Sequence, residues 1–480
     1  MNRAWAEKTF GWCPPNRGSP VEPDDQHHHD GAIWGRHLTW FGNSRPRAHG
    51  AALLLAAVAV SGIADAGSDA SVTIAGHVAR FDRSGHLLPW IAWTTAIERE
   101  MQFYQQAPTV HGFPKFAVET FLDGNWASDP DRRDTIPATQ DGLGILSYLA
   151  YYALQGKREA AYLATARAMG DYLLRETLTP DAGRYPRFTR STGTVGQFPL
   201  TPDAGSQGDQ PFEIEPDKGG IAGYALVRLF EVSGERQYLE QGLQNARVLA
   251  ANQQVGDGTH SPWPFRADYR TGAERGPVSG NMSFIVRLFE ILQAHGYREF
   301  AAPRARLWQW IRRYQIPSAA TDGALFAQFF EDHEAAGNRT AWAPLNLARY
   351  LLERHAAVDP EWRSDAGTLI RFVRKEFTHV ESGVTVCHEQ DEDQDAWGGV
   401  NSTYGAVLAL YAKAIGSEAL AVEARVALNF TLYSIDDQGR PRDLARHAAP
   451  GGWQEDAHTD VIHNYVDALR AFPAWGQSVQ

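Results

Sequence analysis

Cysteine is scarce. The 480 residues hold two, Cys13 and Cys387, too few for a disulfide-dense scaffold. Cations are outnumbered: 45 Lys and Arg face 57 Asp and Glu, a formal net charge of −12, which argues against a nucleic-acid binder with its basic face. A local cleft can still differ from the whole. There is no Gly-rich phosphate loop closed by Lys and Ser/Thr, no dinucleotide fingerprint and no Gly-x-Ser-x-Gly elbow, so nucleotide and serine-nucleophile chemistry lack their motifs. The signal-like apolar run Ala51–Ile63 falls short of the about 18 residues a membrane-spanning helix needs, and no stable membrane span is expected. What the chain does have is ordinary globular composition, 43% hydrophobic and 21% charged, with an aromatic surplus of 15 Trp, 17 Tyr and 22 Phe.

Residues 1–66 read as a disordered lead-in and a signal-like segment. Residues 1–43 are rich in Pro, Gly, His and Asn without periodicity, as expected of disorder or of an upstream extension from a misassigned start. A basic flank (Arg45, Arg47, His49), the apolar run and Ala64-Asp65-Ala66 then follow the order of an export signal, so the expectation is a periplasmic or secreted protein cleaved near Ala66. A buried apolar segment or an uncleaved anchor is the alternative. Residues 67–86 read as a short extended lead-in.

From about residue 130 one unit repeats: an apolar helix rich in small residues, a short turn, a second helix with a charged face, and a long loop. The pairs are expected at 142–154 and 159–175, 220–232 and 237–252, 280–294 and 299–313, 342–352 and 361–377, and 399–415 and 418–433, with an unpaired last helix over 460–472. Two helices per regular period indicate a ring or a solenoid. The aromatic segment 87–106 can supply the helix that closes a ring, giving six inner and six outer helices. The apolar first members line the ring, because a helix apolar on most faces is buried on most faces. The short turns join inner to outer helices, so the long loops gather on one rim, at the N-terminal ends of the inner helices.

This pattern resembles the all-α six-hairpin barrel, the (α/α)6 toroid of many carbohydrate-active enzymes, over residues 87–475. Gly234–Leu243 is similar to the hairpin turns and outer helices of that group, which includes inverting glycosidases, polysaccharide lyases, sugar 2-epimerases and uronyl C5-epimerases. Ser279–Ser283 and His458–Tyr465 resemble inner-helix starts of the uronyl C5-epimerase catalytic domain. The resemblance implies a toroidal catalytic domain acting on a glycan.

The rim carries the chemistry-bearing residues. Asp141, Asp217, Asp395 and Asp460 fall just before or at inner-helix starts, where Asp also serves as an N-cap. A glycosidase needs a protonated acid and a carboxylate across the bond it cuts, and residues on opposite helices of a ring mouth can supply them. Asp217 with Asp395 is the first pair, Asp141 with Asp460 the second; Glu213 and Glu215 lie on a loop that can fold over the mouth. Glu389–Asp395 packs five acids into seven residues, including Asp391 and Asp393, so this stretch is either a solvated face, a catalytic or sugar-binding segment, or a metal site. A lyase or epimerase instead needs a base and a cation that neutralises a uronate carboxylate. Tyr404 and His463 are the candidate bases; Arg184, Arg187, Arg266 and Arg339 are the candidate cations. Trp263, Trp342, Trp397 and Trp453 suit stacking on sugar faces, with His260, Asn281 and His458 as polar partners. His379, Cys387, His388 and His458 lack a zinc-ligand spacing, so no metal and no cofactor are expected.

These residues lead to a carbohydrate-active enzyme, with a glycoside hydrolase ahead of a polysaccharide lyase or uronyl C5-epimerase. A non-catalytic glycan-binding toroid is a further alternative. A terpene-type cyclase shares the ring geometry but would want an aromatic cavity with few acids.

Overall fold

Proline starts two of the inner helices earlier than the apolar pattern does. Pro137 opens α2 (Pro137–Leu154) and Pro216 opens α4 (Pro216–Ser233), each at the position where a missing N–H costs nothing and a fixed φ is already helical. Asp141 is therefore the fifth residue of α2 and Asp217 the second of α4; neither is the N-cap, and the capping positions are Ile136 and Glu215. In the computed structural model the described residues are 72–107, 109–114, 121–122, 136–192, 209–210, 212–329, 337–440, 453–454 and 461–476.

The helices alternate as the periodicity predicts. After α1 (Trp93–Gln106) come the pairs α2 with α3 (Ala160–Glu176), α4 with α5 (Arg236–Ala251), and α6 (Ser283–Ala294) with α7 (Ala301–Trp310). The last of these runs through a π-helical turn, Ile311–Gln315, into the short α8 (Ile316–Ser318). Then follow α9 (Trp342–Arg354) with α10 (Trp362–Glu376), α11 (Gly398–Ile415) with α12 (Glu418–Leu432), and α13 (Val461–Ala471). Each inner helix packs on the next, α2 on α4, α4 on α6, α6 on α9, α9 on α11 and α11 on α13, and α13 packs back on α2. The fold is an (α/α)6 toroid, and the small sheets are peripheral.

The first helix makes the closure. Trp93 of α1 is buried; its indole N–H donates to Asn429 Oδ1 on α12 at 2.8 Å, and its ring meets Tyr465 on α13 edge-on at 5.2 Å. So the segment at 87–106 does supply the sixth outer helix, across more than 300 residues of chain. Inner-to-outer turns are tight where glycine accepts left-handed backbone, as Gly234 (φ 76) and Gly416 (φ 72) do after α4 and α11. Because each inner helix is followed by its outer partner, all six inner helices point their N-termini at the same end. The described parts of the long connections that lead from each outer helix to the next inner one, such as 252–282 and 377–397, lie at that end.

The inner ring is held tight by small residues. A Cβ on Gly220 of α4 would lie 2.7 Å from Ile285 Cγ1 and 3.3 Å from its backbone nitrogen on α6. Overpacking of this kind forces neighbouring helices apart. Gly220→Ala is expected to destabilise the fold by about 1–3 kcal/mol, read as a lower midpoint in urea denaturation.

Candidate active site

The mouth of the ring on the α4 side is built on buried charge. Arg266, in a three-residue strand that pairs with Glu213–Ile214, is fully buried. Its Nε donates to Asp209 Oδ1 at 2.5 Å and lies 3.1 Å from Glu215 Oε1. The other Asp209 oxygen accepts from Ser191 Oγ at 2.6 Å and Thr192 Oγ1 at 3.3 Å. Lys218, also fully buried, sits 3.5 Å from Asp217 and 3.8 Å from Glu215, donates to the Phe329 carbonyl and covers the Phe329 ring. Burial alone would lower Arg266, but Glu215 and Asp209 outweigh it and raise it. Three acids here share two cations, and Asp217 shows the surplus: burial pushes its carboxyl up, against the pull of Lys218. Glu213, next in line, is held by Arg275 at 2.5 Å.

The remaining sequence-selected residues divide by location. Glu389, Asp391 and Asp393 each have a donor close by. Trp342 Nε1 donates to Glu389 at 2.7 Å, Arg339 binds Asp391 through Nε and Nη2 and also reaches Glu376, and Trp397 Nε1 donates to Asp393 at 2.8 Å. Asp395 donates its backbone N–H to Asp393, two residues ahead of the α11 cap, Trp397. Trp263 is fully buried, and its indole donates to the Leu249 carbonyl at the end of α5. Tyr404 is turned to the outer layer, donating to Glu423 of α12 at 2.6 Å, and burial pushes its hydroxyl far up. Asp141 is buried on α2, and Asn281 accepts from Ser283 ahead of α6. Arg184, Arg187 and His260 are exposed on the rim loops, Arg187 paired to Asp181 at 3.2 Å and His260 near Asp257 at 3.4 Å. His458 and Asp460 lie outside the described residues, as does the side chain of Trp453. Among the described residues no three His, Cys, Asp or Glu side chains are arranged to hold a metal.

The polar cluster inside the ring is centred on His463. Arg349 of α9 extends past α11 to α13, its ring neighbour but one, and its Nη1 donates to His463 Nε2 at 2.5 Å. Its Nη2 donates to Asn464 Oδ1, and Asn464 Nδ2 donates to Ser402 and Thr403 of α11 at 2.8 and 2.9 Å. A guanidinium has no lone pair to offer, so Nε2 must be the unprotonated nitrogen; the proton is on Nδ1, 3.5 Å from Ser147 Oγ of α2. Burial, then Arg349, Arg287 and Arg470, hold His463 well below the usual imidazole range. Arg287 of α6 pairs with Glu353 of α9 at 2.5 Å and lies 5.9 Å from the Tyr224 ring of α4. Arg349 Nε also lies 3.8 Å from Asp467 of α13, so the interior presents a neutral base beside two arginines that each have a carboxylate partner. Sequence reasoning found His463 but not Arg349, Arg287, Asn464 or Ser147. The available signal was a polar residue on the lumen stripe of an apolar helix: Trp342, Asn346 and Arg349 share one face of α9.

No protein-family model matches this chain, and no curated protein matches it in sequence. Solved structures do match in fold. A D-mannose isomerase superposes with a TM-score of 0.58 at 14% identity, covering 78% of this chain and 97% of its own. A cellobiose 2-epimerase from Spirochaeta thermophila gives 0.56 at 14%, covering 79% and 97%. A family 76 glycoside hydrolase from a bovine Bacteroides thetaiotaomicron strain gives 0.55 at 11%, covering 80% and 78%. The chain has the six-hairpin (α/α)6 toroid fold that these sugar enzymes share.

Arg266→Ala would leave Asp209 and Glu215 facing each other without their cation, and is expected to cost about 3–5 kcal/mol in chemical denaturation. His463 has a second signature. Its folded pKa lies below the unfolded value near 6.5, so the unfolded chain binds the proton first and stability is lost as pH falls below that value. His463→Gln should flatten the decline in Tm between about pH 7 and pH 5.

Proposed function

We propose that this protein abstracts the C5 proton of a uronate residue in a glycan, as a uronyl C5-epimerase or a polysaccharide lyase. The observation that carries this reading is the neutral imidazole of His463 capped by Arg349 inside the ring. A guanidinium binds a carboxylate more strongly than a neutral imidazole. A uronate entering the ring draws Arg349 onto its carboxylate and uncovers the Nε2 lone pair. His463 then takes the C5 proton, and the electron pair moves into the carboxyl group as an enediolate that Arg349 neutralises. Return of a proton to the opposite face gives the epimer; departure of the O4 substituent with its bonding electrons gives the unsaturated lyase product. The sugar isomerase, sugar epimerase and glycoside hydrolase of the same fold support a carbohydrate substrate. The signal-like segment before Ala66 supports action outside the cytoplasm.

Hydrolysis is the second reading, favoured by one observation: Asp217 is a buried carboxyl held toward its protonated form, as a general acid must be. The test is incubation with uronate-containing glycans in deuterated water. Deuterium at C5 with no chain cleavage indicates an epimerase, and an unsaturated product indicates a lyase. His463→Gln is expected to lower kcat by about 100- to 10,000-fold. New reducing ends without deuterium or unsaturation, lost in Asp217→Asn and kept in His463→Gln, would overturn the reading in favour of hydrolysis.

A further inference from the structure

The rim holds an arginine that the charge network leaves out. Arg190, one residue before the Ser191 that binds Asp209, is partly buried, and its Nε is buried without a hydrogen-bond partner. Asp209 lies close enough to act on it electrostatically, but its oxygens are taken by Arg266, Ser191 and Thr192. Among the described residues no carboxylate lies within ion-pair distance of Arg190, whereas Arg187 is matched to Asp181, Arg270 to Asp268 and Arg275 to Glu213. A half-buried guanidinium whose nearest carboxylate is hydrogen-bonded elsewhere keeps donor capacity for a ligand.

An aromatic platform stands beside it. The Arg190 guanidinium lies 5.6 Å from the centre of the Tyr269 ring, and Phe212 meets the same ring edge-on at 5.9 Å. Phe212 is 42% exposed and has φ 76, a left-handed conformation that a bulky side chain adopts only under constraint. Arg270 is stacked at 3.5 Å from its ring centre. Phe212 directly precedes the strand Glu213–Ile214 that leads into α4, so this platform borders the ring mouth. Arg190 and Phe212 thus flank the same Tyr269 ring, and Phe212 keeps part of its side chain open to solvent beyond its contacts with Tyr269 and Arg270.

We propose that Arg190 and Phe212 form a rim subsite for a second acidic sugar of the same glycan, Arg190 binding its carboxylate and Phe212 stacking on its ring. This rests on the uronate reading above and extends it: the substrate is an acidic chain that reaches from the ring interior over the α4 side of the mouth.

The test is affinity electrophoresis of the full chain in native gels containing pectate, alginate or hyaluronan, with a neutral glucomannan gel as control. The wild type should be retarded by at least one acidic polysaccharide, less so in added salt, and not by the neutral one. Arg190→Gln and Phe212→Gly should each weaken that binding about tenfold, and Arg190→Lys should restore part of it. Phe212→Gly should melt no lower than the wild type, since glycine accepts this φ without strain; a structural role would lower Tm instead. His463→Gln should bind as the wild type does. Retardation in none of the acidic gels overturns the subsite. So does unchanged binding by both rim variants, or binding lost with His463→Gln alone, which would put the whole glycan in the ring. Rim binding intact with no deuterium exchange would instead defeat the proposed chemistry and leave the subsite standing.

Discussion

The last helix of the chain has to pack against the first helix of the ring. Until α13 lies between α11 and α2, the inner helices have an open seam and no interior. Trp93 closes that seam from outside, bonded to Asn429 and packed on Tyr465, so the two ends of the toroid are locked by one buried indole. His463 is carried on the closing helix. The base thus meets Arg349 and Ser147 only when the ring is complete, which ties the proposed chemistry to the global fold rather than to any loop.

Two groups of charges divide the mouth between them. On the α4 side Asp209, Glu215 and Asp217 are buried with Arg266 and Lys218, an arrangement that fixes the loops where they enter the helix. Such a network is expensive to break and specifies geometry more than it adds net stability. Inside the ring the charges are paired as well, Arg287 with Glu353 and Arg349 with Asp467, around an imidazole that burial and these arginines hold neutral. The converging N-termini of six inner helices add their own partial positive charge at the same end.

The acidic stretch Glu389–Asp395 takes most of its partners from distant parts of the chain. Read alone, five acids in seven residues demand solvent, a metal or a split pKa. In the fold Glu389 meets Trp342, Asp391 meets Arg339 and Asp393 meets Trp397, two of these pairs across about 50 residues of chain. Asp141 and Asp217 differ for a local reason: Pro137 and Pro216 begin their helices early and move both residues off the capping position.

The sequence by itself determined the helices, their pairing, their inner or outer place and the rim where the long loops gather. All of these follow from periodicity, turn residues and loop length, which are local properties read over one or two turns. It also put His463 among the candidates. Tertiary structure alone decided that His463 meets Arg349, that Tyr404 turns outward to Glu423 and that Trp263 is sealed in the core. Each polar side chain on an inner helix could serve a cap, the core or the lumen. That choice depends on the rotation of the helix about its axis, which is set by packing against two neighbours about 60 residues away and is not encoded in any single segment.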